Sequence, residues 1–262
     1  MKRAKLSYVV SLQDTRFSAV ATGGWISNIR FVAKAGYDGV ELAVRDPQIV
    51  DLVALNNVLN KCKLGVSAIG TGQAFLADGL SLTAQSKSVR ERTHKRLSTH
   101  IRMAQYLHFP VIIGLIRGRD RDKLALLGRM LRRLASDADA ANVDLLVEPI
   151  NRYETGLLNT CSETAAFIRD LGVGNVGILA DTFHMNIEEA DIVQTFSNHS
   201  GMIKHCHFAD SGRKYPGTGH VDFVSIMKLL DERKYIGYYA AEILQEPNFK
   251  TAVMEFKKFF KK

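Results

Sequence analysis

Apolar residues along this chain fall into two alternating kinds of segment. Short runs rich in aliphatic and β-branched residues cover positions 6–12, 39–44, 65–70, 111–116, 144–150, 176–181, 203–209 and 238–244. Most are continuous apolar stretches without strict alternation, the pattern of parallel strands covered on both faces. Between them, apolar positions recur at helical spacing in 26–34, 49–62, 88–107, 122–140, 162–170 and 223–234, with a last such segment at 250–260. End signals agree with this division. Ser162 and Glu163 open one helix after Asn159-Thr160, Asp222 can cap the helix starting at Phe223, and Gly36, Gly65 and Gly172 stand where helices should stop. Eight strand–helix units in 262 residues come to about 33 residues each, which suits a closed barrel of alternating strands and helices. The pattern predicts an α/β fold, a (β/α)8 TIM barrel, as one domain over residues 1–262 with no Pro/Gly/Ser-rich linker. An open doubly wound sheet competes, but it would usually carry fewer strands at this length. No GxGxxG follows the first strand, so a dinucleotide site has little support.

Composition narrows the class. The 46% hydrophobic and 24% charged residues are ordinary for a globular protein, and no run approaches the roughly 18–20 apolar residues of a membrane span. The start, Met1-Lys2-Arg3-Ala4-Lys5, is basic but lacks the apolar core and cleavage site of a signal peptide, and reads as a cytoplasmic start. Cys62, Cys161 and Cys206 are widely spaced and fit reduced thiols better than a disulfide framework. The net charge of +8 is dispersed over helix-like segments at 90–96, 117–123, 129–133 and 257–262. Without a basic patch interleaved with aromatics, it reads as solvated helix faces that also favour an anionic small substrate, with no nucleic-acid partner and no membrane.

The chemistry sits at the ends of the later strands. Glu148 follows "DLLV", Asp181 follows "ILA", His207 lies in "IKHCHFAD" and Glu242 in "YYAAEIL". In a parallel barrel these ends converge on one mouth, where three carboxylates and an imidazole would repel one another without a cation. Such a donor set suits Mn²⁺, Mg²⁺, Co²⁺ or Zn²⁺. His205 and His207 share a strand face, so one of them can be structural.

The segments "VEPINRYE", "DTFHMNIEE", "HCHFADSGRKYPGTGHVDF" and "AEIL" resemble the xylose isomerase-like barrels, specifically their ketose 3-epimerase (D-tagatose/D-psicose 3-epimerase-like) branch. "ELAVRDPQIV", "AIGTGQAFLADGLSLT" and "VIIGLIRGR" are similar to the group acting on 5-keto-L-gluconate. The resemblance implies one divalent metal ion per chain, Mn²⁺ first, held by Glu148, Asp181, His207 and Glu242. Glu148 and Glu242 would also be the paired acid/base groups, and His184, Arg213 and Glu154 would contact the O1–O2 end of the sugar. It further implies a small ketose or keto-sugar acid as substrate, with 5-keto-L-gluconate/D-tagaturonate the leading pair, and a homodimer or homotetramer. Inverting C3 beside a ketone requires a proton to leave one face and return on the other, hence two carboxylates, with a metal stabilising the enediolate.

A keto-acid carries a carboxylate at its far end, and a bidentate arginine would suit it. Arg117 and Arg119 follow strand four, while Thr71, Gly72 and Gln73 follow strand three and offer donors. The alternative places both arginines in a solvated loop paired with Asp120 and Asp122. Residues 211–219 read as a Gly/Pro-shaped loop over the site, and Trp25 and Phe75 as pocket walls or core. The same barrel hosts apurinic-site endonucleases, which add histidines from earlier strands to hold three zinc ions. Here "AIGTGQ" and "IIGLIRG" offer none. An aldose–ketose isomerase and a non-catalytic sugar-binding barrel are the remaining alternatives.

Overall fold

The computed structural model describes residues 5–260; residues 1–4, the basic start, and Lys261 and Lys262 lie outside them. Eight parallel strands close into a barrel in sequence order. They are β1 (Lys5–Ser11), β2 (Gly39–Ala43), β3 (Gly65–Gly70), β4 (Val111–Ile113), β5 (Leu145–Val147), β6 (Val176–Asp181), β7 (Ile203–His207) and β8 (Tyr238–Ala241). The helices between and after them are α1 (Trp25–Lys34), α2 (Leu52–Cys62), α3 (Gly72–Asp78), α4 (Lys87–Leu107), α5 (Leu124–Ala140), α6 (Cys161–Leu171), α7 (Thr182–Glu188), α8 (Ile192–His199), α9 (Phe223–Glu232) and α10 (Phe249–Phe259). The TIM-barrel expectation is met.

Local chemistry accounts for most boundaries. Helix α6 begins at Cys161, one residue before the expected start, capped by Thr160, whose side chain and that of Glu163 complete a reciprocal capping box. Asp222 caps α9 through the Ser225 amide, and Gly172 closes α6 in the left-handed conformation. Gly65 is different: α2 already ends at Lys63, with φ of 56°, and Gly65 opens β3. A Cβ at Gly65 would lie 2.6 Å from the Tyr238 hydroxyl, so the glycine permits the β3 edge to pass the aromatic ring. Strands four, five, seven and eight are shorter than their apolar runs because the chain turns away early. Residues Leu115–Arg117, for example, form a short 3₁₀ turn. Three short helices, α3, α7 and α8, were not anticipated.

Three apolar clusters result, the smallest being Val9, Val20 and Ala43 with Phe17 packed against them. The largest packs the outer faces of the strands against the helices. Inside the barrel, Ala68, Ile112, Leu146 and Leu179 form a separate plug. Side chains alternate along a strand, so two residues beyond Leu146 and Leu179 the chain again points inward. Those positions are Glu148 and Asp181. The plug is thus the floor on which the polar site stands.

Candidate active site

Asp181 and His207 are the last residues of β6 and β7 and are paired neighbours in the sheet. Glu148 and Glu242 are the first residues beyond β5 and β8. All four side chains converge, with potential ligand atoms within 4.8 Å of one another. His207 Nδ1 lies 3.6 Å from Asp181 Oδ2, 3.8 Å from Glu148 Oε1 and 3.8 Å from Glu242 Oε2. Ligands at about 2.0–2.2 Å around one divalent ion stand roughly 3–3.6 Å apart, so a small contraction would close the cage. Asp181 Oδ2 and His207 Nδ1 are buried with no hydrogen-bond partner among the described residues. Buried polar atoms left unpaired at one centre, with carboxylates beside them, fit a metal ion.

Glu41 on β2, which sequence reasoning missed, completes this arrangement. Its carboxylate is 1% exposed and accepts from His205 Nε2 at 2.8 Å and His207 Nε2 at 2.9 Å. Glu41, His205 and His207 also form a group close enough to hold an ion, but those two contacts have hydrogen-bond lengths. Donation from Nε2 leaves the His207 Nδ1 lone pair for the central cluster, as an outer carboxylate does for a metal-bound imidazole.

Electrostatics differ sharply among the acids. Burial, then the neighbouring Glu242, pushes the Glu148 carboxyl well above its usual range. Burial also raises Glu242, with His207 and Arg213 pulling the other way. Burial acts upward on Asp181 and Glu41 too, but adjacent imidazoles win. Asp181 is held below the carboxylate range by His184 and His207, and Glu41 falls to about 2 through His207 and His205. His207 resists the downward effect of burial and is raised by Glu41 and Glu242. Burial and Arg213 push His184 down to about 4, which leaves it neutral at pH 7.

The cavity above the plug is bordered by Glu148, His207, Glu242, His184, Arg213, Glu154 and Gln73, with apolar walls that include Val9, Phe17, Leu76 and Leu115. His184 Nδ1 accepts from Asn151 Nδ2 at 2.7 Å, which places the ring proton on Nε2. That atom lies 3.9 Å from both Glu148 Oε1 and Asp181 Oδ2. Asn151 Nδ2 also donates to Glu154 Oε1 at 3.1 Å, so one amide orients two expected substrate contacts. The Arg213 guanidinium donates to Glu242 Oε2 at 2.6 Å and is held between the rings of Phe183 and Phe17, at 4.7 and 5.1 Å from their centroids. Its loop is built on Asp210, whose buried carboxylate accepts from the amides of Ser211, Gly217, Thr218 and Val221. Gly114 lets β4 pass the site, since a Cβ there would meet Glu148 Oε2 at 2.7 Å. Asn151, Asp210, Gly114, Phe17 and Phe183 carried no sequence signal beyond lying within the quoted segments or near them.

Arg117 departs from its expected place. It is wholly buried and does not border the cavity. Its guanidinium donates to the carbonyls of Leu157 at 2.8 and 3.2 Å, Leu158 at 3.2 Å and Gly114 at 3.0 Å. The 3₁₀ turn carries it into the wall, where backbone carbonyls occupy the donors a substrate carboxylate would need. Arg119 stacks on Phe75, 5.1 Å from the ring centroid, and Asp122 pairs with Lys123 instead. Trp25 borders a separate cleft beside Arg45, Asp46 and Arg96. Among the described residues the strand-three and strand-four ends supply no histidine to the site, and no helix is long and apolar enough to cross a membrane.

The chain is similar to known proteins in sequence and in fold. An L-ribulose 3-epimerase of Mesorhizobium japonicum is 32% identical over 230 residues, spanning 85% of this chain and 74% of its own. A D-psicose 3-epimerase of Agrobacterium fabrum is 29% identical over 236 residues, 85% of this chain and 79% of its own. The structure of a Methylomonas D-allulose 3-epimerase in complex with D-allulose superposes with a TM-score of 0.82 at 23% identity, covering 98% of this chain and 97% of that one. The family model described as "Xylose isomerase-like TIM barrel" matches residues 29–261, and the chain belongs to that family.

Proposed function

We propose that this protein is a metal-dependent sugar epimerase that inverts C3 of a ketose or keto-sugar acid. The observation that carries this reading is the convergence of Glu148, Asp181, His207 and Glu242, with two buried donor atoms lacking any other partner. Glu148, Asp181, His207 and Glu242 would hold the ion, which when bound polarises the substrate carbonyl and the neighbouring hydroxyl and so acidifies the C–H between them. Glu148 and Glu242 enter from strands three apart in the barrel and can face C3 from two sides. One carboxylate removes the C3 proton while the other, protonated, returns one to the opposite face. Burial favours a protonated form at this pair. His184, neutral with its proton on Nε2, and Arg213 donate toward the oxygens where negative charge develops. Glu154 and Asn151 fix that end of the sugar.

The leading substrate pair remains 5-keto-L-gluconate and D-tagaturonate, which the first-half motifs support. Free ketoses such as psicose, tagatose or ribulose form the second reading. It is favoured by the arginine expected at the acid end being committed to backbone carbonyls. The substrate and the metal are decided together by following deuterium entry at C3 in D₂O with Mn²⁺, Mg²⁺, Co²⁺ or Zn²⁺, over keto-acids and free and phosphorylated ketoses. Exchange at C3 that chelation abolishes and metal restores is the expected outcome, and full turnover by metal-free protein would refute the reading. Glu148→Gln and Glu242→Gln should each remove inversion, by a factor of about 10² or more, in a barrel that still melts cooperatively. Wild-type turnover in either would exclude the two-base assignment.

A further inference from the structure

Besides Arg213 Nε, beside the ligand cluster, the cavity residues carry a further unpaired polar atom on the opposite side of the barrel. Gln73, the second residue of α3, is 4% exposed and borders the cavity, and its Oε1 has no hydrogen-bond partner among the described residues. The identity of that atom follows from its neighbours. Ser11 Oγ donates to the Gln13 carbonyl at 2.5 Å, and a backbone carbonyl can only accept. The single Ser11 hydroxyl proton is thereby used, so Ser11 Oγ faces Gln73 as an acceptor. Only the Gln73 amide nitrogen can answer it, and Nε2 lies 2.7 Å away. The opposite orientation would set two acceptors against each other. Sequence reasoning counted Gln73 among the donors of the site; its anchored amide instead presents a carbonyl.

A buried carbonyl beside a sugar cavity calls for a donor. Thr71, at the same strand end, does not compete, since its hydroxyl donates to the Ile112 carbonyl at 2.7 Å. Other residues bordering the cavity near Gln73, such as Leu76, Ile112 and Leu115, are apolar. In the closed order of strands, β3 lies four strands from β7, so Gln73 faces His207 across the mouth. Arg213 and Glu154 come from the loops after β7 and β5, and His184 from α7, directly after β6. A ketose with its O1–O2 end against those three extends its later carbons toward β3.

We infer that Gln73 is a specificity-determining residue whose side-chain carbonyl accepts a hydrogen bond from a hydroxyl on the later carbons of the sugar. This rests on the epimerase reading above. The site would then select an alcohol at that carbon and reject a substrate lacking it, because the carbonyl would stay buried and unpaired. The partner must be a neutral donor, so the hydroxyls at carbons 4, 5 and 6 are the candidates, and a keto-acid still offers those at carbons 4 and 5.

The test compares the turned-over sugar with its 4-, 5- and 6-deoxy analogues, by kcat/KM with Mn²⁺ and by calorimetric binding. On the wild-type protein one analogue should lose about ten- to a hundredfold relative to the parent. Gln73→Leu should lose a similar factor on the parent and become nearly indifferent to deoxygenation at that same carbon. If the wild-type protein treats every analogue like the parent, the assignment fails without any variant having to fold. It also fails if Gln73→Leu loses equally on parent and all analogues. Absence of C3 exchange on every ketose and keto-acid would overturn the epimerase reading itself and this assignment with it. Exchange without coupling overturns the assignment alone.

Discussion

An imidazole holds a cation only if its free lone pair is aimed and kept there, and at His207, in the proposed metal site, that task would fall to Glu41. The carboxylate accepts hydrogen bonds from Nε2–H of His207 and of His205, fixing two rings from a strand on the far side of the lumen. Glu41→Gln keeps the shape but replaces the charged oxygen that serves both imidazoles, Oε2, with a neutral and weaker acceptor. Outer carboxylates of this kind are worth about 10–100-fold in metal affinity. Glu41→Gln should therefore weaken Mn²⁺ binding by that order, read by chelator competition and independent of turnover, with Glu41→Asp intermediate. Unchanged affinity would mean that packing alone orients His207. The four central residues were legible in the chain because each interrupts an apolar run at the end of a predicted strand. Glu41 was not: it lies inside its run, and its partners are more than 160 residues away in sequence.

At the level of elements, the sequence conveyed which segments are strands but not how each one turns out of the barrel. Arg117 follows β4 as expected, yet a 3₁₀ turn of three residues decides where its side chain goes. Buried there, it ties the β4 exit to Leu157 and Leu158, on the same loop as Asn151 and Glu154. Apolar periodicity cannot register such a clamp, because it is built from backbone carbonyls that every residue possesses. Arg117→Met would leave those carbonyls unpaired in the interior, at about 1–3 kcal/mol for each lost bond that no water replaces. The expected result is a clearly lower melting temperature and a similar fractional loss of kcat/KM on acidic and neutral sugars. A loss confined to acidic sugars, with unchanged melting, would return Arg117 to the substrate. The helix ends tell the converse story: the Asp222 cap was read directly and the start of α6 to within one residue, because capping is local.

Across the whole molecule, the proposed ligand cluster would couple folding to pH and to metal. In the metal-free protein the folded-state affinities of Glu148, Glu242 and His207 for protons exceed their unfolded ones. A group raised in this way contributes stability below its unfolded pKa and loses that contribution as pH rises through the folded value. Asp181 and Glu41 are lowered instead, so their contribution is present above the ordinary carboxylate range and disappears only as the solution becomes strongly acidic. Above the ordinary carboxylate range the part contributed by Glu148, Glu242 and His207 falls as pH rises, while the buried His184, His205 and His100, lowered from their ordinary value, act the other way around the unfolded histidine pKa. A metal held at the proposed site would reverse the balance. Ligation needs His207 Nδ1 and the carboxylates free of protons, so loading releases protons and tightens with pH. Since a ligand bound only by the folded state stabilises it, the gap in melting temperature between Mn²⁺-loaded and chelator-treated protein should widen from pH 5 to pH 8. Calorimetry at pH 7 in buffers of different ionisation enthalpy should register net proton release on Mn²⁺ binding. A melting gap that is flat or narrows over this range, with no buffer dependence of the binding heat, would show that the cation does not engage the Glu148–His207–Glu242 centre.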